Sequence, residues 1–194
     1  EEELIYQKKY DHLNTFLLYP AQTWEHKNHL SLIKAIELIK NRYCRIINII
    51  CTGRKVPPFF STIEDYLKKS EVANQVDFLG MVPESELYWL YKNCSLVVIP
   101  TLYEAGSFPL LEAMSLGSPV ICSNVTSLPE AINDARFVFD PLNIEQMADL
   151  ILKLLDDDEL RTANLKQGKL QTEKLGMVES FPSILQMWKN ILSL

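Results

Sequence analysis

Residues Cys94 to Asn124 constrain the fold more than any other stretch. Leu96 to Ile99 is a short apolar run, the signature of a buried strand, and Pro100 stops it. An irregular stretch containing Glu104 and Gly106 follows. Phe108 to Leu116 has the pattern of a helix, with Pro109 at its start and Gly117 at its end. A second buried strand runs from Pro119 to Cys122. A strand–loop–helix–strand unit of this kind pairs its strands in parallel and places its loop at the carboxyl edge of a sheet. Glu104 and Glu112 bracket the loop and the first helical turn, with seven residues between them. Taken alone, either Glu is an ordinary surface residue. Here Leu110, Leu111, Met114 and Leu116 surround Glu112, and a charge in so apolar a segment needs a partner.

The rest of the chain repeats the alternation. Strands are predicted at Leu13–Tyr19, Ile46–Cys51, Val76–Leu79 and Arg136–Phe139, and helices at Asn28–Ile39, Phe59–Leu67 and Glu84–Tyr91. Helices then fill the tail at Ile144–Leu155, Glu159–Lys174 and Phe181–Leu192. The expected fold is α/β: a Rossmann-like, doubly wound parallel sheet with a helical C-terminal tail. All 194 residues form one domain on this reading, with a core over about 13–140 and a tail over 141–194 that packs back onto it.

Composition narrows the function. A net charge of -6 argues against a nucleic-acid binder, which carries a basic stripe. No apolar run is long enough to cross a bilayer. Four cysteines without a Cys-x-x-Cys pair read as free thiols in a reducing compartment, hence a cytoplasmic protein. His26 and His29 lack further ligands nearby, so no metal site is expected. The acidic run Asp156 to Glu159 reads as a helix cap. The chain begins Glu-Glu-Glu without Met, as a processed protein or an excised fragment would.

In a doubly wound sheet the ligand lies beyond the carboxyl ends of the strands. Lys27 follows the first strand, and Arg54 and Lys55 follow the second. Together they offer an anion site in an acidic protein, with Lys27 the strongest candidate because a helix starts beside it. Glu104, Gly106 and the amides at the next helix start suit a ligand bearing hydroxyls and phosphate. No Gly-x-Gly-x-x-Gly, phosphate loop or Gly-x-Ser-x-Gly elbow is present.

An ordered series of motifs completes the picture: Phe78-Leu-Gly80, Glu86-Leu-Tyr-Trp-Leu-Tyr91, Ser95-Leu-Val-Val-Ile-Pro100, Glu104 to Glu112, Ala113-Met-Ser-Leu-Gly117-Ser-Pro119 and Leu128-Pro-Glu130. In these residues the chain resembles the C-terminal, nucleotide-sugar-binding half of a family 4 (group 1) retaining glycosyltransferase of GT-B architecture. Tyr19-Pro-Ala-Gln-Thr-Trp-Glu-His-Lys-Asn-His29 is similar to a mannosyltransferase-type subgroup. The resemblance implies roles. Glu104 sits beside the donor sugar and touches its hydroxyls; from its place early in the loop, its loss is expected to abolish transfer and change nucleotide affinity little. Glu112 holds the ribose, Lys27 neutralises the diphosphate, and Met81 and Val82 meet the base through backbone groups. Gly106, Ser107, Phe108 and Leu111 complete the donor site. The family places Gly at the position of Ser107 and often Arg at that of Gln22. Loss of that Arg removes one diphosphate contact unless Arg54 supplies it.

The resemblance also implies a GDP- or UDP-hexose donor, mannose among the hexoses, and a glycan or lipid-linked acceptor. It implies a separate N-terminal acceptor domain absent from these residues, no cofactor, and work in the cytoplasm or at the inner face of a membrane. Two alternatives stay open from the residues: a non-catalytic nucleotide-binding Rossmann module, and part of a nucleotide-sugar epimerase.

Overall fold

The computed structural model describes residues 2–13 and 15–176. Six strands form one sheet: β1 (Phe16–Pro20), β2 (Asn48–Thr52), β3 (Val76–Gly80), β4 (Leu96–Ile99), β5 (Val120–Ser123) and β6 (Val138–Phe139). Their order is β3-β2-β1-β4-β5-β6, and every pairing is parallel. The chain therefore reverses its direction of travel across the sheet between β1 and β4. That crossover is where ligands bind in such sheets.

The strands form because their residues suit burial on both faces. Leu17, Leu18, Val97 and Val98 are fully buried. Each such side chain contributes about 1.5–3 kcal/mol on leaving water. Helices cover both faces: α1 (Glu2–Tyr10), α2 (His29–Tyr43), α3 (Phe59–Leu67), α4 (Glu84–Asn93), α5 (Phe108–Leu116), α6 (Leu128–Ile132), α7 (Ile144–Asp156) and α8 (Asp158–Lys174). No helix among the described residues is long and apolar enough to cross a membrane.

The tail packs back as expected. α7 lies on α2, and α8 lies on α5. Gly168 of α8 permits the second contact, since a Cβ there would sit 3.2 Å from Met114 Cγ. Asn164 fixes the register: its amide donates to the Val120 carbonyl and accepts from the Val120 amide, both at 2.8 Å. The acidic run does cap a helix, with Asp157 accepting from Leu160 N at 2.8 Å.

Several boundaries differ from the expectations. β1 starts at Phe16 and not Leu13, β2 starts at Asn48 and not Ile46, and β5 starts at Val120 and not Pro119. In each case the apolar run extends beyond the residues that hydrogen-bond to a neighbouring strand. α2 continues to Tyr43 and α4 to Asn93. Arg136 belongs to a 3-10 turn over Ala135–Phe137, capped by Asp134, which leaves only Val138–Phe139 as strand. α1 and α6 were not expected. The predicted helix at Phe181–Leu192 lies outside the described residues.

Cys51, Cys94 and Cys122 are buried free thiols, while Cys44 is exposed. Burial pushes the Cys94 and Cys122 thiols up to about 12, so they stay protonated. His29 is buried at the start of α2 between Tyr19 and Phe78, with ring centroids 4.6 and 5.7 Å away. Neither ring nitrogen has a well-formed hydrogen bond. Burial, aided by the charge of Lys27 and opposed by the Ala21 carbonyl, lowers its pKa to about 3. Below pH 6.5 the unfolded chain takes up a proton that the folded chain refuses until about 3. Stability is therefore expected to fall as pH drops through that window, by about 1.4 kcal/mol per pH unit. Glu37 and Glu86, both held below the usual carboxylate range, add their own loss only below about 4.5. Urea unfolding at pH 6.5, 5.8 and 5 isolates the histidine. His29→Phe is expected to flatten that slope, and a variant as acid-sensitive as the parent would contradict the assignment.

Candidate functional site

Each loop at the β1/β4 crossover is built by local chemistry. After β1 the backbone makes a 3-10 turn over Glu25–Lys27, then adopts a left-handed conformation at Asn28, φ 59°. Asn tolerates that region better than most residues. Its side-chain amide donates to the Pro100 carbonyl at 2.9 Å and the Pro141 carbonyl at 3.0 Å. One buried amide thus ties the loop after β1 to the end of β4 and to the turn after β6. The Tyr19 hydroxyl donates to the Lys27 carbonyl at 2.8 Å, which sets where Lys27 leaves the backbone.

The loop after β4 is stitched to the same place. Leu102 N donates to the His26 carbonyl at 2.7 Å. The Thr101 hydroxyl lies 3.0 Å from that carbonyl and 2.8 Å from the Tyr103 carbonyl. Thr126 donates to the Glu104 carbonyl, and Ser127 to the Ala105 carbonyl at 3.2 Å. These bonds bring Lys27 and Glu104 together as an ion pair, with side chains 17% and 15% exposed.

α5 then begins at the edge. Ser107 is its N-cap, and its hydroxyl accepts from Leu110 N at 3.3 Å. The departure from Gly at this position therefore gives the helix a cap. The amides of Gly106, Ser107 and Phe108 have no acceptor among the described residues. They lie at the positive end of the helix dipole.

Beside α5 is a cleft of about 260 Å³ lined by residues including Gln22, Gly53, Met81, Val82, Phe108 and Glu112. Glu112 is exposed, not enclosed by the apolar residues around it in sequence, and the Tyr91 hydroxyl donates to its Oε2 at 2.7 Å. Burial, and then the carboxylate, raise the Tyr91 pKa, so the phenol remains a donor. The Glu112 carboxylate is thereby held by its Oε2 at the cleft.

The crossover thus brings together Lys27 and Glu104, and the cleft collects Met81, Val82, Phe108 and Glu112. Two expected residues stand apart. Leu111 is half-buried against the core, and Arg54 is exposed, with no side-chain partner among the described residues. Arg54 does not line the cleft, although its carbonyl accepts from Thr23 N at 3.1 Å. Lys55 lies over the Phe60 ring, 5.1 Å from its centroid. Sequence reasoning missed Asn28, Tyr91 and Thr101 as site builders. Asn beside a Lys at a helix start was the one available signal. A larger cavity of about 770 Å³, lined by Met114, Leu116, Leu165 and Thr172, lies elsewhere. It is at the end of α5, toward the amino edge of the sheet. Among the described residues no three His, Cys, Asp or Glu side chains gather into a metal site.

Residues 2–171 match the family described as "Glycosyl transferases group 1". The chain belongs to that family. Among its relatives is O-antigen chain mannosyltransferase B of Escherichia coli, 42% identical over 99 residues, which are 51% of this chain and 26% of that protein. Serotype-specific mannosyltransferase WbdA of Escherichia coli is 30% identical over 191 residues, 92% of this chain and 23% of that protein. The glycosyltransferase structure from Rickettsia africae ESF-5 superposes with a TM-score of 0.82 at 19% identity, covering 98% of this chain and 52% of that one. The group 1 glycosyltransferase chain thus spans about a quarter of the length of these curated relatives and half of the solved one. Its sheet has the Rossmann-like fold of the GT-B glycosyltransferase structures it matches.

Proposed function

We propose that this chain is the donor-binding half of a retaining glycosyltransferase that moves a hexose, mannose foremost, from a nucleotide sugar to a glycan or lipid-linked acceptor. The observation that carries this is the meeting of Lys27, Glu104, the start of α5 and Glu112 at one sheet edge. In the reaction the bond between the anomeric carbon and the phosphate oxygen breaks with its electron pair staying on the departing diphosphate, while the acceptor's hydroxyl oxygen bonds to the anomeric carbon and its proton passes to the diphosphate. Lys27 and the amides at 106–108 stabilise that charge. Glu104 orients the sugar hydroxyls and Glu112 the ribose. The backbone after Gly80 meets the base. No step of this scheme calls for a metal. The acceptor is held by the remainder of a longer protein. A place of action in the cytoplasm, or at the inner face of a membrane for a lipid-linked acceptor, fits the donor and the free thiols.

A thermal-shift panel of GDP, UDP, ADP and their hexose conjugates tests the reading. A specific ligand at 100 times its dissociation constant stabilises the fold by about 2.7 kcal/mol. Stabilisation by one base and its sugar is expected; no response to any of them would overturn the proposal.

Tyr91→Phe tests the ribose site. It removes the hydroxyl that fixes Glu112 and is expected to cost about 1 kcal/mol of stability. It is also expected to weaken a ribonucleotide several-fold while affecting its 2′-deoxy counterpart less. Calorimetric titration of both nucleotides decides. Equal losses would move Glu112 away from the ribose.

A further inference from the structure

The Lys27–Glu104 ion pair stands apart from the others. Each of the other ion pairs among the described residues has a partner that is about half exposed or more. Here both side chains are sheltered, at 17% and 15% exposure. Sheltering two charges is a poor way to gain stability, because desolvation offsets most of the attraction. Their position offers another reason. One is the cation best placed for a diphosphate and the other the carboxylate best placed for a sugar. In this structure each is paired with the other.

The surroundings allow the pair to exchange partners. The Lys27 carbonyl is fixed by Tyr19, and its amide donates to the Trp24 carbonyl at 2.9 Å. The Glu104 carbonyl is fixed by Thr126, and the intervening loop is bonded to His26. Neither backbone has to move. Rotation of two side chains is enough to part them.

We propose that this pair discriminates nucleotide sugar from bare nucleoside diphosphate. The inference rests on the reading that this edge binds a nucleotide sugar. A donor satisfies both groups at once: its sugar hydroxyls donate to Glu104, and its diphosphate takes Lys27. A nucleoside diphosphate offers Glu104 nothing. It must compete with the carboxylate for Lys27 and then lie beside an unpaired negative charge. Once the sugar has gone to the acceptor, Glu104 returns to Lys27 and opposes the diphosphate left behind. On this proposal Glu104 influences nucleotide affinity as well as the sugar, which departs from the expectation that its loss changes nucleotide affinity little.

The test is calorimetric titration of this chain with GDP, UDP and their hexose conjugates. Glu104→Gln is expected to bind the nucleoside diphosphate about tenfold tighter and the nucleotide sugar no tighter, so the parent's preference for the sugar form collapses. Glu104→Ala repeats the test. A gain of affinity is not something a damaged fold produces. In a Lys27→Met background the same Glu104→Gln change is expected to tighten the diphosphate less than in the parent, because it relieves only the repulsion and no competition for Lys27. Unchanged or weaker diphosphate binding in both Glu104 variants of a parent that binds nucleotide would overturn the discrimination alone. A parent that binds none of the four ligands would overturn the donor-site reading and this inference with it.

Discussion

Lys27→Ala is expected to weaken GDP or UDP binding by about tenfold to a hundredfold. A charge-assisted hydrogen bond contributes about 1.5–3 kcal/mol, which accounts for a loss of that size. Glu104 moves the loss toward the upper end of the range. With Lys27 gone its carboxylate has lost its partner and stands unneutralised where the diphosphate must lie. The loss should fall on the diphosphate and spare the nucleoside, because Lys27 carries a point charge and no group that reads a base. Titration of parent and variant with guanosine or uridine and with the diphosphates separates the two. Equal affinity of variant and parent for the diphosphates would remove Lys27 from the site.

Gly53→Ala is expected to cost about 3 kcal/mol of stability and to weaken nucleotide binding together with it. Gly53 has φ +103°, a conformation L side chains rarely adopt. A Cβ there would lie 2.7 Å from the Ala21 carbonyl carbon and 2.9 Å from both Ala21 O and Gln22 N. All three are backbone atoms, so no side chain can swing aside. The contact exists because three strand ends are tied together: Ala21 N donates to Thr52 O at 3.0 Å and Gly53 N to Gly80 O at 2.8 Å. Pushing Gly53 away displaces Gln22 and widens the cleft it lines. Urea unfolding and nucleotide titration of the same variant check both effects. Parental stability would mean that the loops after β1 and β2 adjust freely.

These residues show what the sequence discloses and what it does not. The unit from β4 to β5 was legible because local rules agree there. Pro100 ends a strand, Pro109 sits in the first turn of α5, and Gly117 ends it with φ 71°. Hydrophobic period gave the other strands and the sheet class. It could not give α1, whose moment is weak because its buried contact is Tyr10 and not an apolar stripe. Tyr10 bonds to Glu86 on α4, a pairing 76 residues apart that no local pattern announces. The site follows the same division. Lys27 and Glu104 were legible as chemistry in the loops after β1 and β4, and Glu112 as chemistry on the helix that follows. Their partners were not. Tyr91 lies 21 residues from Glu112 and Glu104 77 from Lys27. Only strand order brings them together. Arg54 illustrates the converse: a basic residue after a strand, exposed beside the cleft without lining it.

A crystal structure of this chain grown with its preferred nucleoside diphosphate hexose tests the central claim most directly. The account places the diphosphate oxygens within hydrogen-bond distance of Lys27 Nζ and the amides at 106–108. It places the sugar hydroxyls on Glu104, now parted from Lys27, and the ribose hydroxyls on Glu112. A nucleotide seated elsewhere, as in the cavity beside Met114 and Thr172, with the Lys27–Glu104 pair intact, would contradict it.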